Sequence, residues 1–329
     1  MVKYRIFVLK NNSASTEFLE APGNDTVSIR KIQLYGKTVV LMWPDSGQAF
    51  THPDIEFQTS VDSEFILSSR IWKQEDTIVN VRDVEVGHDV TVAAGPCSID
   101  FDENVEDFAI ELKRAGANII RGGAYKPRTS PFSFQGKGSE GLDILRKMGE
   151  AADLPIVSEI LDSDNIGNFN GVDLLQIGSR NAQNFQLLRK VARDGRPVLL
   201  KRGMGNTYTE WMATADYVLS EGNGSVIICE RGIRTFENAT RFTLDVGSIA
   251  RAKKESHLPV CADPSHPAGR RDLVMPLALS SVAAGSDMLL VEVHPSPENA
   301  LSDAQQQITV DDLKKLTDAI KSLRKAIKV

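Results

Sequence analysis

Asn118-Ile-Ile-Arg121-Gly-Gly-Ala-Tyr-Lys126-Pro-Arg128-Thr129-Ser-Pro-Phe-Ser-Phe-Gln-Gly136 joins a short apolar run to a loop dense in punctuation. The run reads as a buried strand. The loop then sets three cations and neighbouring hydroxyls on a backbone bent by Gly122, Gly123, Pro127 and Pro131. Such a loop is costly to order. Its donors suit an acidic ligand: guanidinium forks for phosphate or carboxylate, an ammonium as a point charge, Thr129 as a neutral partner. A solvated basic loop carries the same residue types, so the decision rests on whether the strand-then-polar-loop pattern recurs.

It recurs eight times. Strand candidates fall at Thr91–Pro96, Asn118–Gly123, Pro155–Ile160, Leu174–Ser179, Pro197–Arg202, Ser225–Arg231, Pro259–Pro264 and Met288–His294, with amphipathic helices between them. Thr207 and Glu210 form a capping box ahead of Trp211, Ala215 and Val218. The last helix lines up Leu313, Leu316, Ile320, Leu323 and Ile327, with acids in its first turn and cations in its last. Eight βα units predict a (β/α)8 TIM barrel, with a doubly wound open sheet as the fallback. No glycine-rich nucleotide fingerprint follows any strand.

Residues 1–72 differ. Tyr4–Leu9 reads as a strand, Ser28–Tyr35 and Thr38–Trp43 as a hairpin about Gly36-Lys37, and a fourth strand is expected around Glu64–Ser69. This predicts a small α+β domain, ferredoxin-like in outline, ahead of a catalytic barrel at 73–329. A second hairpin, turning at Gly87 within Thr77–Val92, leads from one to the other.

Thirty-eight Lys and Arg against 44 Asp and Glu leave a net charge of −6, which argues against nucleic-acid or anionic-membrane binding. No apolar run approaches the ~20 residues of a membrane span. Three scattered cysteines fit a reducing compartment, and the expected location is cytoplasmic.

Barrel active sites form at the carboxyl ends of the strands. Here those ends carry Cys97, Arg121 with Lys126, Glu159, Arg180, Lys201 with Arg202, Arg231 with Arg234, Asp263 with His266, and Glu292 with His294. Two cations ~6 Å apart at an effective dielectric of ~20 repel by roughly 2.8 kcal/mol. A ring of them is therefore strained when empty and satisfied by anions, which points to a ligand bearing more than one acidic group. Cys97, His266, Glu292 and Asp303 form a mixed soft and hard ligand set for Mn, Fe, Co, Zn or a similar divalent ion, acting as a Lewis acid on a carbonyl oxygen. Cys229 and Cys261 read as core.

Gly95-Pro-Cys-Ser98, Arg121–Gly136, Gln176–Asn184, Leu199-Leu-Lys-Arg-Gly203, Cys229–Phe236, Asp263-Pro-Ser-His266 and Val291-Glu-Val-His294 resemble the 3-deoxy-D-arabino-heptulosonate 7-phosphate synthases of the type I beta group. The resemblance spans about residues 77–329. It implies a metal-dependent condensation of phosphoenolpyruvate with erythrose 4-phosphate, the first step of the shikimate pathway. It also implies roles: Arg180 and Arg231 for the phosphoenolpyruvate phosphate; Arg121, Lys126 and Lys201 for its carboxylate; Arg128 and Thr129 for the aldose phosphate; Asp263 for the aldose. Lys126 and Glu159 would orient the attacking water. A homotetramer, and an aromatic amino-acid inhibitor (tyrosine or phenylalanine) at the amino-terminal domain, are expected on the same ground. The alternatives are the sister 3-deoxy-octulosonate 8-phosphate synthase, whose counterpart of Lys126–Ser130 reads K-A-N-R-S, and a non-catalytic metabolite-binding barrel.

Overall fold

The computed structural model describes residues 3–10, 27–45, 47, 50–127 and 130–327. Eight parallel strands close into a barrel: β7 (Thr91–Gly95), β8 (Ile119–Arg121), β9 (Ile156–Ile160), β10 (Leu174–Ile177), β11 (Val198–Lys201), β12 (Val226–Glu230), β13 (Val260–Ala262) and β14 (Met288–Glu292). The register Met288↔Thr91 through Glu292↔Gly95 seals the ring. Side chains alternate across each strand. Ala93, Ile119, Val157, Leu174, Leu199, Ile227, Cys229, Cys261, Met288 and Leu290 fill the interior, while the opposite set packs under the helices.

The outer layer holds α1 (Val105–Arg114), α2 (Ser139–Ala152), α3 (Phe185–Asp194), α4 (Tyr208–Leu219), α5 (Val246–Glu255), a short α6 (Ser265–Ala268), α7 (Val274–Ala283) and α8 (Val310–Ile327). The capping box forms at α4 as expected. Leu313, Leu316 and Ile320 of α8 are buried, each contributing about 1.5–3 kcal/mol. One unit departs from the expected alternation: a 3-10 segment, Ser163–Phe169, stands where an α-helix between β9 and β10 was predicted. Its Asn and Gly residues favour turns over a continuous helix.

A small antiparallel sheet precedes the barrel: β1 (Tyr4–Leu9), β2 (Ser28–Leu34), β3 (Lys37–Trp43) and β4 (Ile55–Val61), in the order β2-β3-β1-β4. β1 and β2 run parallel with β3 between them, the split arrangement of a ferredoxin-like unit. The hairpin turns at Tyr35 and Gly36, both left-handed (φ 51° and 74°). The β1–β2 connection lies outside the described residues, and the described part of the β3–β4 connection is not helical.

Two expectations need correction. The fourth strand lies at Ile55–Val61, not Glu64–Ser69. The latter segment spends its backbone donors elsewhere: the amides of Ile66, Leu67 and Ser68 all donate to the Asp216 carboxylate on α4, at 2.6–3.0 Å. The second hairpin, β5 (Val79–Val81) with β6 (Val84–Val86), turns at Arg82-Asp83 instead of Gly87. Its Val79, Val81 and Val86 close the barrel interior from below.

The amino-terminal sheet meets the barrel beside the amino-terminal ends of β12 and β13. Tyr35 donates to the Gly224 carbonyl at 2.9 Å, and Arg30 to that of Ser220 at 2.9 Å. Beneath Tyr35, the buried His257 bridges Thr77 Oγ1 and the Leu67 carbonyl, both at 2.8 Å. The mouth of the same barrel lies at the other end of the strands.

Candidate active site

Lys126, Glu159, Arg180, Lys201, Arg231, His266 and Asp303 line one cavity at the carboxyl ends of the strands, together with Ser179, Met204, Arg241 and Phe242. Cys97, Arg121, Asp263 and Glu292 lie buried in its floor. Arg128 and Thr129 lie outside the described residues.

Backbone shape makes room for these groups. Gly95 brings β7 so close to β8 that a Cβ there would meet the Arg121 carbonyl at 2.1 Å. Cys97 follows after Pro96, its amide donating to Gln307 Oε1 at 2.9 Å. Glu159, at the end of β9, receives the Gln176 amide on Oε2 at 3.0 Å.

The floor is a charge-paired lattice. Arg121 donates to Glu292 Oε1 at 2.9 Å. Lys201 Nζ lies 2.6 Å from Asp263 Oδ2, which also lies 2.7 Å from His266 Nδ1. Lys126 Nζ donates to the Cys97 carbonyl at 3.0 Å and lies 3.1 Å from its sulfur. The ring of mutually repelling cations expected from sequence is therefore corrected: Arg121 and Lys201 carry buried carboxylate partners, since an unpaired buried charge is strongly disfavoured.

Burial pushes Asp263 and Glu292 upward, but neighbouring cations, Lys201 and Arg231 beside Asp263 and Arg121 and Lys126 beside Glu292, hold both carboxyls below their ordinary values. Both are acceptors at neutral pH. Burial draws His266 below its ordinary value against the pull of Asp263. Its imidazole is then neutral; Nδ1 lies against Asp263 without hydrogen-bonding geometry, and Nε2 turns to the other two carboxylates. That nitrogen lies 3.6 Å from Glu292 Oε1 and 3.9 Å from Asp303 Oδ2. Cys97, Glu292 and Asp303 each place a ligand atom within 4.8 Å of the others. Burial, with Glu292 adding to it, pushes the Cys97 thiol up to about 12. Two carboxylates, a neutral imidazole and a thiol at these separations can hold a divalent metal ion.

Above the floor, Arg231 is 5% exposed and its Nη1 has no hydrogen-bond partner. Its guanidinium stacks on Phe242, 4.3 Å from the ring centroid. Burial lowers its pKa, although Asp263 works in the other direction. An anion in the mouth would satisfy that orphaned donor.

A sequence model of the DAHP synthetase I family matches residues 69–329. The chain is 46% identical over 277 residues to the phospho-2-dehydro-3-deoxyheptonate aldolase of Thermotoga maritima, covering 84% of this chain and 82% of that one. It belongs to the DAHP synthetase I family. A crystal structure of the Thermotoga maritima DAHP synthase superposes with a TM-score of 0.80 at 40% identity, over 99% of this chain and 98% of that one. A truncated form of the Thermotoga enzyme matches at 0.75 and 43% identity, over 81% and 99%. A 2-dehydro-3-deoxyphosphooctonate aldolase of Coxiella burnetii is more distant, 28% identical over 76% of this chain and 96% of that one.

Not every strand-end residue of this family member joins the mouth. Arg202 turns away to Glu230 and Asp245, at 2.8 and 3.0 Å, over the Trp211 ring. His294 pairs with Asp100 at 2.9 Å and lines a separate cleft. Conversely, Arg241 and Phe242 belong to the mouth yet sit on the long connection from β12 to α5, which a search of strand ends passes over. Gln306, whose amide donates to Glu292 Oε2 at 2.6 Å, is likewise a loop residue. Among the described residues, no helix is long and apolar enough to cross a membrane.

Proposed function

We propose that this chain joins phosphoenolpyruvate to erythrose 4-phosphate, releasing inorganic phosphate and forming 3-deoxy-D-arabino-heptulosonate 7-phosphate. The observation that carries the reading is the pairing of an anion-seeking mouth, with Arg231 Nη1 unsatisfied, and a Cys, His and two-carboxylate floor directly beneath it.

Arg180 and Arg231 receive the phosphate of phosphoenolpyruvate. Lys126 and Lys201 face its carboxylate, with Arg121 below them held by Glu292. Arg128 and Thr129 take the aldose phosphate and so choose the four-carbon aldose. Asp263 fixes the His266 ring and the Lys201 ammonium, and through them the aldose end of the mouth. Cys97, His266, Glu292 and Asp303 would hold a divalent ion, which would supply Lewis acidity to the aldehyde oxygen. C3 of phosphoenolpyruvate bonds to the aldehyde carbon, whose oxygen takes up a proton to become a hydroxyl. Water adds to C2, and the C2–O bond breaks as C2 becomes the ketone and phosphate leaves with the electron pair and the second proton of the water. Glu159 accepts a proton from that water while Lys126 orients it. Holding both substrates over one floor converts encounter into a near-unimolecular step.

Residues 1–72 act as a regulatory domain whose docking is biased by tyrosine or phenylalanine, in a homotetrameric cytoplasmic enzyme. A small sheet that holds none of the residues given a chemical role supports the division.

The test is turnover with phosphoenolpyruvate and Mn2+, offering erythrose 4-phosphate or arabinose 5-phosphate, with phosphate release as readout. Preference for the four-carbon aldose is expected. Preference for arabinose 5-phosphate would move the chain to the sister reaction, and turnover of neither would leave only a binding role.

A further inference from the structure

The guanidinium of Arg241 makes two contacts from one nitrogen. Nη1 lies 3.1 Å from Asp303 Oδ1 and donates to Gln306 Oε1 at 2.7 Å. Each contact continues toward the floor. The other oxygen of Asp303, Oδ2, is the one that faces Cys97 Sγ at 3.4 Å and His266 Nε2 at 3.9 Å. The amide nitrogen of Gln306 donates to Glu292 Oε2, leaving Oε1 toward Arg121 and His266. Because Nη1 can only donate, it fixes which end of the Gln306 amide points at Glu292.

We propose that Arg241 is a positioning residue for the metal-binding floor, orienting Asp303 directly and Glu292 through Gln306. The inference rests on the metal reading given above. One side chain thereby aims one oxygen from each of two carboxylates, the kind of outer support on which metal affinity commonly depends by 10- to 100-fold.

The backbone under Arg241 is built to hold it. Ile233 and Thr243 exchange backbone hydrogen bonds at 2.9 and 3.0 Å, closing the connection into an arch. The Phe242 amide donates to the Pro267 carbonyl of α6 at 3.2 Å. Gly269, left-handed at φ 64° at the end of α6, leaves space for the Arg241 stem: a Cβ there would come within 2.5 Å of Arg241 Cβ. The arch is thus pinned to the helix that carries His266.

Charge and geometry predict opposite outcomes, which makes the role testable. A cation beside a metal site weakens metal binding by repulsion, so removing a mere bystander charge would tighten it. A positioning residue behaves in the reverse way. Mn2+ affinity should be measured by calorimetry on the full-length protein and on Arg241→Leu, Arg241→Lys, Gln306→Leu, the Arg241→Leu/Gln306→Leu double variant and Cys97→Ala, with thermal melting of each metal-free protein. Expected are 10- to 100-fold weaker binding in Arg241→Leu, only partial recovery in Arg241→Lys, and a double variant well short of the product of the two single losses, with melting temperatures near wild type. Unchanged or tighter Mn2+ binding in Arg241→Leu, while Cys97→Ala loses it, would overturn the positioning role alone. Loss in Arg241→Leu that tracks a collapsed melting temperature, with Gln306→Leu behaving as wild type, would also overturn it. Equal binding by wild type and Cys97→Ala would instead remove the metal reading.

Discussion

Gly178 holds open the space that the Glu159 carboxylate occupies: a Cβ at position 178 would lie 1.9 Å from Glu159 Oε1. Both residues lie at the mouth end of adjacent, register-matched strands. Gly178→Ala should therefore displace the proposed proton acceptor without touching it chemically. We expect kcat to fall on the order of 100-fold, with the barrel still folded by circular dichroism. Glu159→Gln should lose at least as much. A Gly178→Ala enzyme with full kcat would remove Glu159 from the mechanism.

Cys97→Ala removes the one soft ligand from the floor. Turnover should be abolished by a chelator and restored by Mn2+ or another divalent transition ion in the wild type. The variant should need far more metal for the same restoration. Full activity of Cys97→Ala at limiting metal would contradict the assignment.

Arg128 is assigned to the distal phosphate of the aldose. Its replacement by Ala should raise KM for erythrose 4-phosphate by at least ten-fold while leaving that for phosphoenolpyruvate within about three-fold. Equal changes in both constants would place Arg128 elsewhere in the site.

His257 makes the junction pH-sensitive. Burial lowers its pKa to about 4, with Lys73 and Arg70 adding to the effect against Asp76; the unfolded value is about 6.5. Between those values the unfolded chain binds the extra proton, so stability is complete above about pH 6.5 and declines as pH falls toward 4. The full loss is about 3 kcal/mol, with about 2 kcal/mol already gone at pH 5. Urea midpoints at pH 7.5 and 5 should diverge more in wild type than in His257→Gln. Parallel shifts in the two proteins would refute the linkage.

Asp216 anchors the segment after β4 with three backbone hydrogen bonds. Asp216→Ala strands the amides of residues 66–68, at about 1–3 kcal/mol for each that stays buried and unpaired. Faster amide exchange confined to residues 63–72 should report the loosening. The same contacts bear on truncation. Removing residues 1–62 should leave a folded, active barrel that no aromatic amino acid inhibits, while removal through 72 also strips the Leu67 partner of His257 and should melt lower. A truncated chain as sensitive to tyrosine or phenylalanine as the full protein would end the regulatory assignment.

The barrel was legible because its signal is repetition: eight apolar runs of similar length, each followed by polar chemistry, admit few architectures. The floor was legible because strand ends are where a barrel must put it. What escaped was set by tertiary choice. Glu64–Ser69 looks like a strand by composition, yet a carboxylate 150 residues away claims its amides. Arg241 carries no local mark distinguishing it from a solvated loop arginine; only the fold brings it to Asp303 and Gln306. Arg121 and Lys201 looked like free cations because their partners, Glu292 and Asp263, are remote in sequence.

The amino-terminal sheet and the mouth stand at opposite ends of the same strands, and this separates gatekeeping from ownership. A chain's own sheet, docked where Tyr35 meets Gly224, cannot shutter its own substrate entrance. An inhibitor that acts by closing a mouth through this sheet must recruit the sheet of a sister chain. In an assembly of such chains, sensitivity to that inhibitor would be lost on dilution to monomers while each barrel went on turning over.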